Sequence, residues 1–502
     1  MNLSRFARGV LCLAILATSQ MPDGISAQTA EDRARGLYKN GLENLQKNRA
    51  KEAINDFDEV LKLYRTTSVA DDALLAKAQY QFMIGELDAA RRTATELLQL
   101  NEGGSDLVPM ATVLLGRLAV ARQRTPESVN AALGSFDRVS NVYPRSDALP
   151  AALYYSGETQ RLVGRNAEAL EAYETVTEEF PRSDWAAKAL IGRATILVRT
   201  GRAPDAMELL QRVRLRFPGT HEADLALSRI TLLYRLHVVP TLGFSAYSLS
   251  NRKLGGAVGT FKGVAAIGFV PGQGIVVVNA TGLHAFDGNG NATASRTYPE
   301  PVGVCLTPDG RTVAVGRGWL RPEAGPPILL GTTKNDGTNR PLEQIRAAAV
   351  LSSGEYLVSD ADARAVMRFS PDGKHLGFFG EARADRLAVD DLDHVVMIER
   401  GTPVVIIAGP DGRMLKRIET RGAKNELRNP VDVAVDAFGH IYVLDRDLGG
   451  VFVFTPQGQP VTTFSIPEKA PGAFRRATAM AADDSGRLYI ADERLQLVQM
   501  YQ

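Results

Sequence analysis

The chain is poor in the residues on which most enzyme chemistry depends. Among 502 residues there are two cysteines, two tryptophans and six histidines. Cys12 sits inside an N-terminal apolar run, so removal of that segment leaves Cys305 alone and no intrachain disulfide can form. The histidines (His221, His237, His284, His375, His394 and His440) include no H-x-x-x-H pair and none beside a cysteine at metal-ligand spacing. No G-x-S-x-G elbow, P-loop or dinucleotide fingerprint occurs in the strand–helix context it needs. An excess of one charge is also missing. Residues 28–240 carry 28 basic and 28 acidic side chains, and residues 241–502 carry the same numbers. Neither half has the positive field that phosphate-backbone binding requires, which argues against a nucleic-acid partner. With only Trp185 and Trp319, a carbohydrate or peptidoglycan receptor built on stacked aromatics has little to work with.

What is present begins with a leader. Arg5 and Arg8 precede the apolar run Val10–Ala17, and a small-residue stretch ends at Ala27. This is the three-part pattern of a signal peptide, with cleavage expected after Ala27. Eight apolar residues are too few for a bilayer core that needs ~20. Cys12 lies within the run rather than after it, which argues against a lipoprotein. No later segment reads as membrane-spanning. The mature chain is expected to be secreted across the inner membrane into the periplasm, or alternatively outside the cell.

Five positions then recur. Ala53, Ala90, Ala132, Ala169 and Ala206 are spaced 37, 42, 37 and 37 residues apart. Twelve residues before each stands Gly41, Ala78, Val120, Gly157 or Ala194. Seven after stands Val60, Leu97, Val139, Val176 or Val213. Such periods mark stacked supersecondary units. Each unit reads as two helices, the second ended by an aromatic-Pro phrase such as "FPRSD". The series Gly157, Gly164, Ala169, Tyr173, Val176, Pro181 resembles the tetratricopeptide repeat, in the form found in envelope proteins of the Tol–Pal coordinator and outer-membrane assembly type. The resemblance implies an α-solenoid of about five repeats over 28–236, with 221–236 as capping helix.

After a short linker (237–243) the period changes. Short β-rich runs alternate with Gly and Asp turns, the first turn of each unit centring on Gly274, Gly310, Gly354, Asp393, Gly439 and Gly486. Four strands per unit and six units predict a six-bladed propeller over 244–502. The turns between third and fourth strands recur as "DGNG" (287–290), "NDG" (335–337), "PDG" (371–373 and 410–412) and "PQG" (456–458). The sixth unit lacks its fourth strand, and the alternating stretch 244–261 is expected to supply it and close the ring. "PVDVAVDAFGHIYVLD" resembles the strand–turn–strand signature of NHL-repeat propellers. The fold class is thus multidomain, α-solenoid followed by an all-β propeller.

Some propellers of this shape are metal-dependent hydrolases or lyases of the lactonase type. The oxygen ligands available for such a site are Asn279, Asp360, Glu399, Asp445 and Asp492, each after a second strand. The competing reading is that these side chains bond backbone amides of their own loops. The same loops carry Arg317, Arg364, Arg400, Arg446 and Arg494, either a ring matched to carboxylates or phosphates of a partner or local partners of neighbouring acids. In the solenoid, Tyr154, Tyr155, Gln160, Arg161 and Arg193 are candidate groove residues. The reading that follows is a non-catalytic protein–protein scaffold of the cell envelope. It needs no cofactor and binds peptide or protein partners through the solenoid groove and the propeller face.

Overall fold

The computed structural model describes residues 29–47, 49–100, 105–255, 261–308, 310–323, 325–333, 339–399, 401–420, 426–466, 473–474 and 476–502. The leader, Arg400 and the turn at 335–337 lie outside these. The chain divides into two compact units. One runs to Thr159 and takes in Glu178–Phe180; the other comprises Gln160–Thr177 and Pro181–Gln502.

Eleven helices are found among the described residues: α1 (Ala30–Gln46), α2 (Ala50–Leu63), α3 (Ala70–Met83), α4 (Leu87–Leu100), α5 (Val108–Val120), α6 (Pro126–Val142), α7 (Leu149–Leu162), α8 (Asn166–Glu179), α9 (Asp184–Arg199), α10 (Ala203–Arg216) and α11 (His221–His237). Thr29, Thr125 and Thr220 accept backbone amides at three of their N-termini, and Thr29 forms a full capping box with Asp32. The recurring positions are the packing core. Ala53, Ala90, Ala132, Ala169 and Ala206 are fully buried, as are Val60, Leu97, Val139, Val176 and Val213. The small partner residue exists because the facing ring needs room. A Cβ added at Gly41 would lie 2.5 Å from Phe57 Cε1. In the third unit that role falls to Gly116, whose added Cβ would lie 2.6 Å from Phe136 Cε1, and not to half-buried Val120. Helix α6 starts six residues before Ala132, where the other second helices start three before their alanine, so counting back by a fixed interval from Ala132 lands four residues late.

Six four-stranded antiparallel sheets follow. Blade 1 is β2–β5 (266–297), blade 2 β6–β9 (301–329), blade 3 β12–β15 (345–378), blade 4 β16–β19 (384–419) and blade 5 β20–β23 (430–465). A two-stranded hairpin, β10 (Gly331–Thr333) with β11 (Asn339–Pro341), lies between blades 2 and 3. Blade 6 joins β24–β26 (477–501) to β1 (Leu249–Leu254), which pairs antiparallel with β26. Middle strands such as β21, β22, β25 and β26 are buried on both faces, because each blade is covered by its neighbours. Outer strands such as β5 and β19 are exposed, and charged side chains (Arg296; Lys416, Arg417 and Glu419) blunt their free edges. An aromatic cluster seals the junction of the ring's ends: Phe464 lies 5.3 Å from Tyr247 and 5.4 Å from Tyr501 between centroids.

All six first-turn residues adopt positive φ, from 62° at Asp393 to 124° at Gly274. In blades 5 and 6 these turns meet helices. Leu232, Leu233 and Leu236 of α11 share one buried cluster with Phe438, Tyr442, Leu488 and Tyr501. Each buried leucine contributes about 1.5–3 kcal/mol. An added Cβ at Gly486 would lie 2.4 Å from Leu232 Cδ1, and one at Gly439 would lie 2.9 Å from an Arg199 guanidinium nitrogen. Arg199, at the end of α9, is 8% exposed and reaches Asp390 at 3.1 Å and Asp391 at 2.5 Å. Arg161 reaches Asp391 at 2.6 Å. Burial alone would raise the Asp390 carboxyl, but the His394 hydrogen bond and the Arg199 charge outweigh it and hold the group below its ordinary range.

Two experiments probe this docking. Gly354 in blade 3 has φ +84° but meets only Pro371, at 3.5 Å. Gly354→Ala should therefore cost only the left-handed strain, about 1 kcal/mol, whereas Gly486→Ala should cost roughly 1–3 kcal/mol more in urea unfolding. Equal losses would remove the Leu232 contact from the account. His237 of α11 lies 3.4 Å from His440 between Nε2 atoms. Burial, then the His440 charge, depresses its pKa from 6.5 to about 4, with Asp436 partly opposing. The unfolded chain thus binds more protons between those values, so this stabilisation is full above pH 6.5 and lost as pH falls toward 4. Buried Asp432, pushed up to about 6, titrates in the opposite sense, so the readout is a difference. Between pH 7 and 5, His237→Gln should lose less stability than the parent.

Candidate functional site

Successive turns of a four-stranded antiparallel blade alternate between its two ends. The helices α9–α11 meet the end formed by first and third turns: Asp390, Ala437, Ser485 and Gln457 are all contacted there. The second turns and the inter-blade loops, which hold the arginines and acids singled out in the sequence, lie at the opposite end.

There the acids are occupied. Asp445, fully buried, accepts backbone amides of Asp447 and Leu448 on one oxygen and of Arg428 and Asn429 on the other, at 2.7–3.1 Å. Asp360 accepts from Asp362, Ala363 and Gln344. Asp492 accepts from Leu495 and Arg476. Each carboxylate ties its own turn to the loop that enters the blade, which is the turn-capping role open to Asp. Asn279 receives Thr281 and lies 3.1 Å from His284 Nε2. Glu399 pairs with Arg417 at 2.9 Å. Among the described residues no three His, Cys, Asp or Glu side chains are grouped to hold a metal ion.

The arginines occupy unlike positions. Arg317 is exposed and 3.6 Å from Glu300. Arg446 is half-buried and donates its Nε to the Ala477 carbonyl at 3.0 Å. Arg494 is exposed. Arg364 is exposed and stands at the left-handed position of its turn, φ +54°. It lines a cavity of about 550 Å³ together with Arg340, Gln344, Arg346, Ala361 and Asp362. Arg340 and Arg346 were not suggested by turn spacing. Arg340 lies on the accessory hairpin, and Arg346 is the extra residue of a β-bulge at the start of β12. Bulges recur at this place in blades 2 to 6, where the register slips past Val302, Arg346, Asp385, Val431 and Thr478.

In the first unit, Arg117 of α5 lies 4.4 Å from the rings of both Phe82 and Tyr155, a half-buried cation held between aromatics on the first helices of the two flanking hairpins. Tyr154 packs edge-on against Tyr155 at 5.1 Å. Burial raises the Tyr155 phenol. Arg161 and Arg193 belong to the second unit. Arg161 is buried against Asp391, and Arg193 is paired with Glu174 at 3.0 Å and Thr177 at 3.2 Å.

Residues 38–105 and 162–230 each match a model of the tetratricopeptide repeat. No curated protein matches the sequence. Among solved structures, streptogramin B lyase aligns with a TM-score of 0.38 at 10% identity, over 51% of this chain and 97% of that one. Virginiamycin B lyase from Staphylococcus aureus gives 0.34 at 14%, over 50% and 83%. MamA gives 0.27 at 18%, over 35% and 93%. These likenesses carry no ligand, reaction or partner over to this chain. The chain carries tetratricopeptide repeats, which imply protein–protein interaction, followed by a six-bladed propeller. No helix among the described residues is long and apolar enough to cross a membrane.

The role of the turn acids is testable. Asp445→Ala strands four backbone amides and should destabilise the protein by about 3 kcal/mol or more. Chelation with EDTA should leave the melting temperature of the parent unchanged; a drop of several degrees would mean that these carboxylates serve an ion instead.

Proposed function

We propose that this protein is an exported, non-catalytic scaffold of the cell envelope that binds peptide or protein partners through the inner face of its helical repeats. The observation that carries the reading is the strip Phe82–Arg117–Tyr155, with Tyr154 beside it. It sets aromatic rings and a guanidinium on the first helices of consecutive repeats. Tyr and Arg are the side chains that most often dominate protein interfaces, because they bury large area at low entropic cost. Rings already stacked on the cation lose little freedom when a partner covers them. The leader pattern of residues 1–27 supports the envelope location. Support for a non-catalytic propeller comes from Asp360, Asp445 and Asp492, which a channel hydrolase or lyase would need as ligands and which are spent on backbone amides.

The partner reading is tested by placing a photo-crosslinking amino acid at Tyr154 and, as control, at the exposed Glu52. In envelope extracts, position 154 should give discrete adducts that fall at least fivefold with Arg117→Ala, and position 52 should not. Identical patterns at both positions would defeat it. The location is tested by N-terminal sequencing of protein from the periplasmic fraction, which should begin at Gln28.

A further inference from the structure

We propose that the cavity at the mouth of blade 3 is a binding site for a small multivalent oxyanion, one bearing two or more carboxylate or phosphate groups. This goes beyond the scaffold reading and does not depend on it.

Three guanidinium groups converge on the cavity from three separate pieces of backbone: Arg340 from β11, Arg346 from the bulge of β12, and Arg364 from the second turn of the blade. The remaining lining is Gln344, Ala361 and Asp362, so the wall holds three cations against one anion. None of the three arginines has an ion pair or side-chain hydrogen bond among the described residues. Arg296, Arg317, Arg368, Arg417, Arg476 and Arg487 of the same propeller are each paired with a carboxylate. Three like charges brought together with a single counter-charge repel one another, and a bound anion is what turns that arrangement favourable. The fork geometry of the guanidinium suits carboxylate and phosphate oxygens in particular.

The site is also held in place. The Asp360 carboxylate, 3% exposed, receives the amides of Asp362 and Ala363 from the turn and of Gln344 from the incoming loop, and Ala361 donates its amide to the Gln344 carbonyl at 2.9 Å. One buried acid therefore fastens the turn that carries Arg364 to the loop that leads into Arg346. Asp360 is a positioning residue here, not a ligand. Arg364 sits at φ +54°, where blade 5 has Gly449 at φ +55° in the corresponding turn. A side chain at that position carries a backbone cost that glycine avoids.

That last feature supplies a clean variant. Arg364→Gly removes the charge and relieves the left-handed strain, so the protein should unfold at the same urea concentration as the parent or higher. Isothermal titration of the full chain in low-salt buffer, using citrate and pyrophosphate as probes, should show saturable one-to-one binding of at least one of them. Combining Arg346→Gln with Arg364→Gly should weaken that binding at least tenfold. Arg413→Ala, at an exposed arginine of blade 4, should leave it unchanged. A preference for pyrophosphate would assign the site to phosphate groups, and a preference for citrate to carboxylates. Absence of saturable binding by both probes, or equal affinity in the parent and the double variant, would overturn the proposal.

Discussion

The second unit depends on one buried charge arrangement. Arg199 ends α9 inside a protein wall, and a guanidinium there is tolerable only because Asp390 and Asp391 stand within hydrogen-bonding distance. Asp390 can serve because its other oxygen already closes the first turn of blade 4, accepting the amides of Leu392 and His394. Asp436 closes the same turn in blade 5, and Asp483 in blade 6. The carboxylates that shape three successive turns thus build the surface on which α9 to α11 rest. The leucines of α11 then bury against those turns, making the last helices part of the propeller's core rather than an attachment to it.

Helices α9 to α11 occupy one end of the ring, and the second turns stand at the other. At the docked end, turn acids meet arginines that arrive from the helices. At the open end, the acids of the second turns are taken up by backbone amides, and the arginines of blade 3 have no ion pair among the described residues. The same residue type performs opposite services at the two ends, and the difference lies in whether a helix is present to supply the countercharge.

Much of the architecture was readable in the chain because it rests on periods. Buried alanines 37 or 42 residues apart and positive-φ residues at hairpin turns are local requirements of packing and of φ, and both recur along the chain. What escaped the sequence depends on geometry between distant segments. Arg161 reads as a groove residue by helical spacing, yet it is buried against Asp391, 230 residues away. The arginines of the second turns look like one ring, but Arg364 stands four residues after its turn acid and Arg446 one after, so their side chains do not share a position. Arg340 and Arg346 left no signal, because one sits on an inserted hairpin and the other is aimed by a bulge that changes register without changing composition.

The pairing of β1 with β26 has a temporal consequence. Strand 249–254 leaves the ribosome roughly 250 residues before its partner at 497–501. At about 5–20 residues per second that is a wait of about 10–50 s. Throughout it the leucine stripe of α11 is also bare, since blades 5 and 6, which cover it, are made last. The nascent chain therefore carries both the helix stripe and the strand uncovered until its last two blades are made.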